Sequence, residues 1–388
     1  MKNRKLMNLI KARLAEKQPL IQVIVGPRQV GKTTALKSAL SEKDHYYSAD
    51  YPTPLDGSVI LDWWAAARKG DSNILAIDEV QKISEWSSVI KKLWDADPSV
   101  KIVLTGSSAL LMEKGLAETL AGRFELIQAD HWSFQEAKDI FSLDLQKYIE
   151  FGCYPGAIRF LRDTERWGSY IRDSIVEPAL GRDLLQLHPV ENPALLRQVF
   201  AVALDMPAQI ISLQKLQGQL QSKGAIATIQ NYLNLLSKGF LVSSIEKYSA
   251  SVVRGKKSSP KLIIHDNGLM RAFERPIGKL LSPDRLGRYF ENIVGARFIE
   301  AGWKTYYWKD RDKEVDYVVV GPNNEKWAIE VKSAQCSTEK FKGLEAFCRS
   351  HPEFEPRILS LVDQKVKGIP SLSTDRILSL CREYRHEK

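Results

Sequence analysis

The sequence predicts an α/β protein of several domains, with a doubly wound parallel sheet in its N-terminal part. Three observations carry this. Short apolar, β-branched runs at residues 20–25, 73–78 and 100–105 read as buried parallel strands. Helical segments alternate with them: 32–40 follows the first, and 86–96 sets Trp86, Val89, Ile90, Leu93 and Trp94 on one face. Strand–helix–strand alternation of this kind builds a doubly wound domain. The third observation is length, since 388 residues exceed what one hydrophobic core usually holds and point to two or three domains.

Beyond residue 150 the pattern changes. Residues 151–205 read as helical, punctuated by Pro155, Pro178, Pro189 and Pro193. Residues 206–277 hold amphipathic helices at 213–221 and 227–238, joined by a short Lys-Gly turn, and then strands at 240–248 and 260–265. Between the strands lies a segment with Arg254, Gly255, Lys256 and Lys257. Two helices followed by a hairpin with a basic tip outline a winged helix-turn-helix. After a linker at 278–283, a helix at 284–301 precedes strands at 304–308, 314–320 and 327–333, a helix at 338–349 and a strand at 357–362. That is a second α/β unit of ordinary domain size. The predicted domains are therefore 1–150, 151–205, 206–277 and 284–388.

Composition narrows the class. With 44% hydrophobic and 27% charged residues, the chain matches a soluble globular protein. No apolar run approaches the roughly 20 residues that span a bilayer, and the first residues lack the apolar stretch of a secretory signal. Cys153, Cys336, Cys348 and Cys381 are scattered, with no Cys-x-x-Cys pair, which argues for reduced thiols in the cytoplasm and against a zinc site. The formal charge of +9 permits contact with nucleic-acid phosphates.

Between the first strand and its helix stands Gly26-Pro-Arg-Gln-Val-Gly31-Lys32-Thr33, which fits G-x-x-x-x-G-K-[ST]. The glycines let backbone N–H groups face phosphate oxygens at a helix N-terminus. Gly26, Pro27, Arg28, Gln29, Val30, Gly31, Lys32, Thr33 and Thr34 are thus the expected ATP-binding loop, with Lys32 on the β- and γ-phosphates and Thr33 on Mg²⁺. Asp78 ends the second strand and fits the role of holding Mg²⁺, and Glu79 is placed to polarise the attacking water. Thr105 and Ser107 end the third strand with polar groups suited to sensing γ-phosphate. Arg123, in Leu120-Ala-Gly-Arg123, is a candidate for stabilising transition-state charge in a neighbouring subunit.

Taken in order, these motifs resemble prokaryotic AAA+-type ATPases with a C-terminal DUF4143 domain, the AAA_14/DUF4143 architecture. The likeness continues through Ile77-Asp-Glu-Val-Gln81, Phe151-Gly-Cys-Tyr-Pro-Gly156, Pro260-Lys-Leu-Ile-Ile-His-Asp-Asn-Gly268 and the block 287–333. It implies an AAA+ core, a small helical lid, a winged helix and a restriction-endonuclease-like α/β domain, and it favours Arg123 as a trans-acting finger. At 152–153 the 151–156 motif reads Gly-Cys where family members often have two glycines. A second sensor arginine in the lid has only Arg159 and Arg162 as candidates.

In the C-terminal unit, Glu291 lies on a helix, Asp316 on one strand, and Glu330 and Lys332 share a face of the next. If the two strands pair as a hairpin, this set resembles a PD-(D/E)xK nuclease, with Asp316, Glu330 and Glu291 around Mg²⁺ and Lys332 beside the nucleophilic water. The alternative is an exposed strand face of alternating charge. Arg254, Lys256, Lys257 and Lys261 are the candidate DNA contacts on the wing. The leading functional expectation is an ATP-driven motor or remodeller of duplex or branched DNA, acting as a homo-oligomer in a hexameric ring. An ATP-dependent DNA nuclease and a nucleotide-gated switch with a partner-binding winged helix are the alternatives.

Overall fold

The computed structural model describes residues 4–106, 118–187, 190–220, 225–249, 258–335, 341–363, 366 and 368–383. Among these residues no helix is long and apolar enough to cross a membrane. Two compact units divide the chain: Met1–Asp130 with Arg182–Pro189, and His131–Gly181 with Val190–Lys388.

The first unit runs α1 (Lys5–Ala15), β1 (Ile21–Val25), α2 (Lys32–Ala39), β2 (His45–Ser48), α3 (Val59–Lys69), β3 (Ile74–Asp78), α4 (Trp86–Ala96), β4 (Lys101–Gly106) and β5 (Phe124–Gln128). Its sheet has the order β2-β3-β4-β1-β5, and every neighbouring pair is parallel. The three expected strands are the central ones. β1 is buried along its whole length, and a strand covered on both faces is written as a continuous apolar run. β2 and β5 are sheet edges of mixed character, His-Tyr-Tyr-Ser and Phe-Glu-Leu-Ile-Gln, and carry no such signal. Because the strands are parallel, the C-terminal ends of β3, β4 and β1 lie side by side. That edge gathers Asp78, Thr105 and Gly26.

The first unit ends at Asp130, ahead of the expected boundary at 150. Residues 131–150 belong to the second unit, where α5 (Phe134–Phe141) and α6 (Leu145–Phe151) are held by buried polar contacts. Tyr148 donates to the Trp132 carbonyl at 2.8 Å, and the Asn267 amide donates to the Ile149 carbonyl at 2.6 Å. Then come α7 (Thr164–Ile171), α8 (Pro193–Asp205), α9 (Leu213–Gly218) and α10 (Ile226–Lys238). The antiparallel pair β6 (Val242–Ile245) and β7 (Lys261–Ile264) follows α10, the order of elements in a winged helix.

α11 (Asn267–Arg271) and the long α12 (Pro283–Glu300) lead into a mixed sheet. It comprises β8 (Lys304–Asp310), β9 (Lys313–Val320), β10 (Lys326–Lys332), β11 (Glu355–Ser360) and β12 (Ser371–Leu372), in the order β12-β11-β10-β9-β8. β8, β9 and β10 pair antiparallel, and β10, β11 and β12 pair parallel. α13 (Lys342–Ser350) covers this sheet, burying Leu344 and Phe347 with Val315, Val318, Ala328 and Phe354. α14 (Thr374–Leu378) closes the described chain.

α12 anchors the second unit through buried polar residues. Asn292 accepts from the Ile264 amide at 2.9 Å and returns a bond to the Ile264 carbonyl at 2.8 Å, standing in for a neighbouring strand. Glu300 is a hub. Its Oε1 meets His131 Nδ1 at 2.5 Å and His265 Nδ1 at 2.9 Å, and its Oε2 accepts from the His131 amide at 2.9 Å and from Arg297. The far ring nitrogens meet Tyr154 at 3.1 Å and Ser243 at 2.8 Å. Burial alone would raise the Glu300 carboxyl; His131 and Arg297 outweigh it and hold the group well below its ordinary 4.5.

Nearby, Asp266 accepts from the Cys153 amide at 2.9 Å and the Gly268 amide at 2.7 Å. Gly152 is obligatory beside it. Its φ is +62°, and a Cβ there would fall 1.8 Å from Asp266 Oδ1.

Glu300→Gln removes the charge that three cationic or donor groups converge on. We expect a loss of about 3–5 kcal/mol in urea unfolding at neutral pH. Because the folded carboxyl is depressed, the stabilisation is full above 4.5 and is lost as pH falls towards the folded value. The difference between wild type and variant should therefore narrow below pH 4.5.

Candidate functional site

The loop after β1 turns sharply because Gly26 permits it: a Cβ there would sit 2.2 Å from the Ala129 carbonyl oxygen. Gln29 and Gly31 take positive φ, 60° and 88°, which curls the loop onto the start of α2. Val30 is fully buried beneath the loop, and Thr34 is exposed on α2. Lys32 folds back, donating to the Gly26 carbonyl at 2.9 Å and the Pro27 carbonyl at 2.7 Å. Burial pushes its ammonium down to about 8, against the opposing charges of Glu79 and Asp78.

Asp78, at the end of β3, collects three hydroxyls. Thr33 donates to Oδ2 at 2.8 Å, Tyr46 to the same oxygen at 2.7 Å, and Thr105 to Oδ1. The motif residues Lys32, Thr33, Asp78 and Thr105 are thus brought together by strand order. Tyr46 is an addition that no motif announces, since it lies on the edge strand β2. Burial, and then Asp78, raise its phenol above the ordinary range. Thr33 and Asp78 present a hydroxyl and a carboxylate oxygen side by side, a hard donor set that fits Mg²⁺.

Glu79 takes φ +56°, and its Oε2 accepts from Gln81 at 2.7 Å. Arg28 leaves the loop to form a two-point ion pair with Asp183, Nη2 to Oδ1 at 2.6 Å and Nε to Oδ2. That bond, followed by opposing burial, leaves the guanidinium raised. Asp183 lies 155 residues downstream, in the segment that rejoins the first unit; nothing in the local sequence marks it. Ser107 lies outside the described residues.

Arg123 stands at the opposite end of the sheet. β5 pairs with β1 from Ile21↔Phe124 to Val25↔Gln128, so about 17 Å of strand separates Arg123 from its own loop. Arg123 holds Asp95 through Nε at 2.8 Å and Nη2 at 3.2 Å.

In the second unit, β9 and β10 pair as the expected hairpin, in register from Lys326↔Val320 to Ile329↔Tyr317. Just past this register the Asp316 side chain takes over, its Oδ2 accepting from the Val331 amide at 2.7 Å. Lys332 meets Glu330 at 2.5 Å and Asp316 at 3.9 Å. Glu291 accepts from Lys261. Burial, with Asp316 adding to it, pushes Glu330 up to about 8; burial also pushes Glu291 up to about 7, opposed by Lys261.

The cluster expected from the four residues does form, with a fifth member. Among the described residues, the carboxylates of Glu291, Asp316 and Glu330 are not a group gathered within 4.8 Å. The one such group among the described residues is His131, His265 and Glu300, whose atoms are committed to the hydrogen bonds above.

Lys261 corrects the wing assignment. Its side chain is fully buried and bonded to Glu291, so it is not a surface contact for DNA. Its place at the start of β7, facing inward, explains this. Arg254, Lys256 and Lys257 lie outside the described residues.

Three family models match the chain: an AAA domain over residues 18–138, and two domains of unknown function, DUF8612 over 142–278 and DUF4143 over 286–374. An uncharacterized protein of Mycobacterium tuberculosis is 29% identical over 318 residues, covering 79% of this chain and 69% of that protein. Another, of Methanocaldococcus jannaschii, is 25% identical over 358 residues, covering 84% and 78%. Among solved structures, the Orc1 protein of Aeropyrum pernix in complex with DNA is similar at 12% identity, covering 69% of this chain and 89% of that one, with a TM-score of 0.30. The P-loop and the acidic strand end thus fall within a stretch that matches an AAA domain, and the C-terminal mixed sheet within one that matches DUF4143.

Proposed function

We propose that the chain hydrolyses ATP with Mg²⁺ and uses the cycle to act on DNA as a homo-oligomeric ring. The observation that carries this reading is the convergence of Lys32, Thr33, Asp78 and Thr105 at one edge of the sheet. The loop amides and Lys32 would hold the phosphates, and Thr33 and Asp78 would hold the metal. Bound Mg²⁺ supplies neutralisation of the charge on the transferred phosphoryl group. Glu79 polarises the attacking water once it leaves Gln81. Arg123 is too far from its own loop to serve it, which supports a role at a neighbouring subunit's site.

Action on DNA rests on the charge of +9 and the basic segment at 254–257. The test is the ATPase rate without DNA and with duplex, single strand and a four-way junction. Stimulation by duplex or junction is the expected result. Equal rates in all four would favour the nucleotide-gated switch, for which the hold of Asp183 on Arg28 is the starting observation.

Lys32→Ala should lower kcat about 100-fold or more, because it removes the cation on the phosphates. Glu79→Gln should bind ATP and stall; turnover equal to wild type would defeat its assignment.

Arg123→Ala should bind nucleotide normally and hydrolyse it about 10³-fold more slowly. Mixing it with Glu79→Gln should restore part of the activity, since one mixed interface regains both groups. Mixed oligomers without rescue would argue that Arg123 acts in cis or is structural, through its pair with Asp95.

Neutralising Arg254, Lys256 and Lys257 together should weaken DNA binding and lower its log–log salt slope by about 0.9 for each lost phosphate contact. An unchanged slope would move the DNA surface elsewhere.

A further inference from the structure

The acidic cluster of the second unit contains a charge that belongs to another element. Lys261 opens β7, in the hairpin after α10, and its side chain has no exposed surface. Its ammonium donates to Glu291 on α12 and, at 3.1 Å, to the Asp316 carbonyl on β9, and lies 4.7 Å from the centre of the Tyr317 ring. Tyr317 in turn donates to the Glu291 carbonyl at 2.7 Å. A fully buried lysine is rare and needs a paired counter-charge. Here its counter-charge is Glu291, and Asp316 adds to the hold.

Each carboxylate already has an internal partner: Lys261 for Glu291, Lys332 for Glu330, and the Val331 amide with Lys332 for Asp316. Mg²⁺ needs near-octahedral oxygens at about 2.0–2.1 Å and gives up its waters reluctantly. These oxygens are neither gathered nor free of a competing cation.

We propose that Lys261 is the resident cation of this cluster. The cluster is then a latch that fastens β7 to α12 and β9, and not a divalent-metal centre that cuts DNA. The same geometry holds a latent site: taking the ammonium away leaves the Glu291 carboxylate and the Asp316 main-chain carbonyl as hard oxygen donors without their cation, beside the charge of Asp316.

The experiment is a Mn²⁺ titration followed by electron paramagnetic resonance on the full-length, nucleotide-free protein. Wild type and Asp316→Ala should bind the same number of ions. Lys261→Met should bind one more than wild type, and Lys261→Met with Asp316→Ala should lose it again. Lys261→Arg, which keeps the charge, should match wild type.

A wild-type ion that disappears in Asp316→Ala would overturn the proposal. So would Mn²⁺-dependent cutting of supercoiled DNA by wild type that Asp316→Ala abolishes, or a folded Lys261→Met with no added ion. The comparison of wild type with Asp316→Ala needs no change at 261, so it decides the matter even if Lys261→Met does not fold.

Discussion

A charged carboxylate taken out of water must find its compensation inside the fold, and Glu300 shows how much structure one such group can organise. Its two oxygens are met by His131, His265 and Arg297, drawn from the chain just after β5, the exit of β7 and α12 itself. Each contact is a single local pairing. Their joint effect is to fix three distant parts of the sequence around one point, because leaving any partner out would strand a buried charge. Asn292 and Lys261 repeat the device further along α12, toward the Ile264 backbone and toward Glu291. The helix therefore organises the second unit through polar pairing as much as through apolar packing.

The first unit uses the opposite economy. Its sheet is apolar through the centre, and the polar chemistry is pushed to one edge, where parallel strands all end. Asp78 would be costly there without partners, and three hydroxyls supply them. Two come from positions the nucleotide motif already specifies; the third, Tyr46, is structural support from the adjacent strand. Lys32 is handled likewise, resting on carbonyls of its own loop.

What the sequence disclosed follows from this contrast. Continuous apolar strands and a glycine-bounded loop have a local signature, so β1, β3, β4 and the loop residues could be placed from spacing alone. Edge strands β2 and β5 carry mixed side chains that resemble loop. Partners that act across long separations left no local trace: Asp183 for Arg28, Glu300 for His131, and Lys261 for Glu291. Lys261 is the instructive case. Among Arg254, Lys256 and Lys257 it reads as part of a basic surface, and only the register of β7 turns it inward. The first unit's end at Asp130 was hidden for the same reason, since tertiary partners, and no change of composition, assign residues 131–150.

The division at Asp130 has a topological consequence. The first unit is assembled from two separate stretches of chain, the second of them beginning at Arg182. The polypeptide thus leaves that unit, returns to it and leaves again. Asp183, which grips the nucleotide loop through Arg28, arrives on the return. An N-terminal fragment that holds this unit whole must run to Pro189 and so carries His131–Gly181 of the second unit with it; a piece ending at 150 carries twenty residues that belong elsewhere and lacks the carboxylate that its own arginine is paired with.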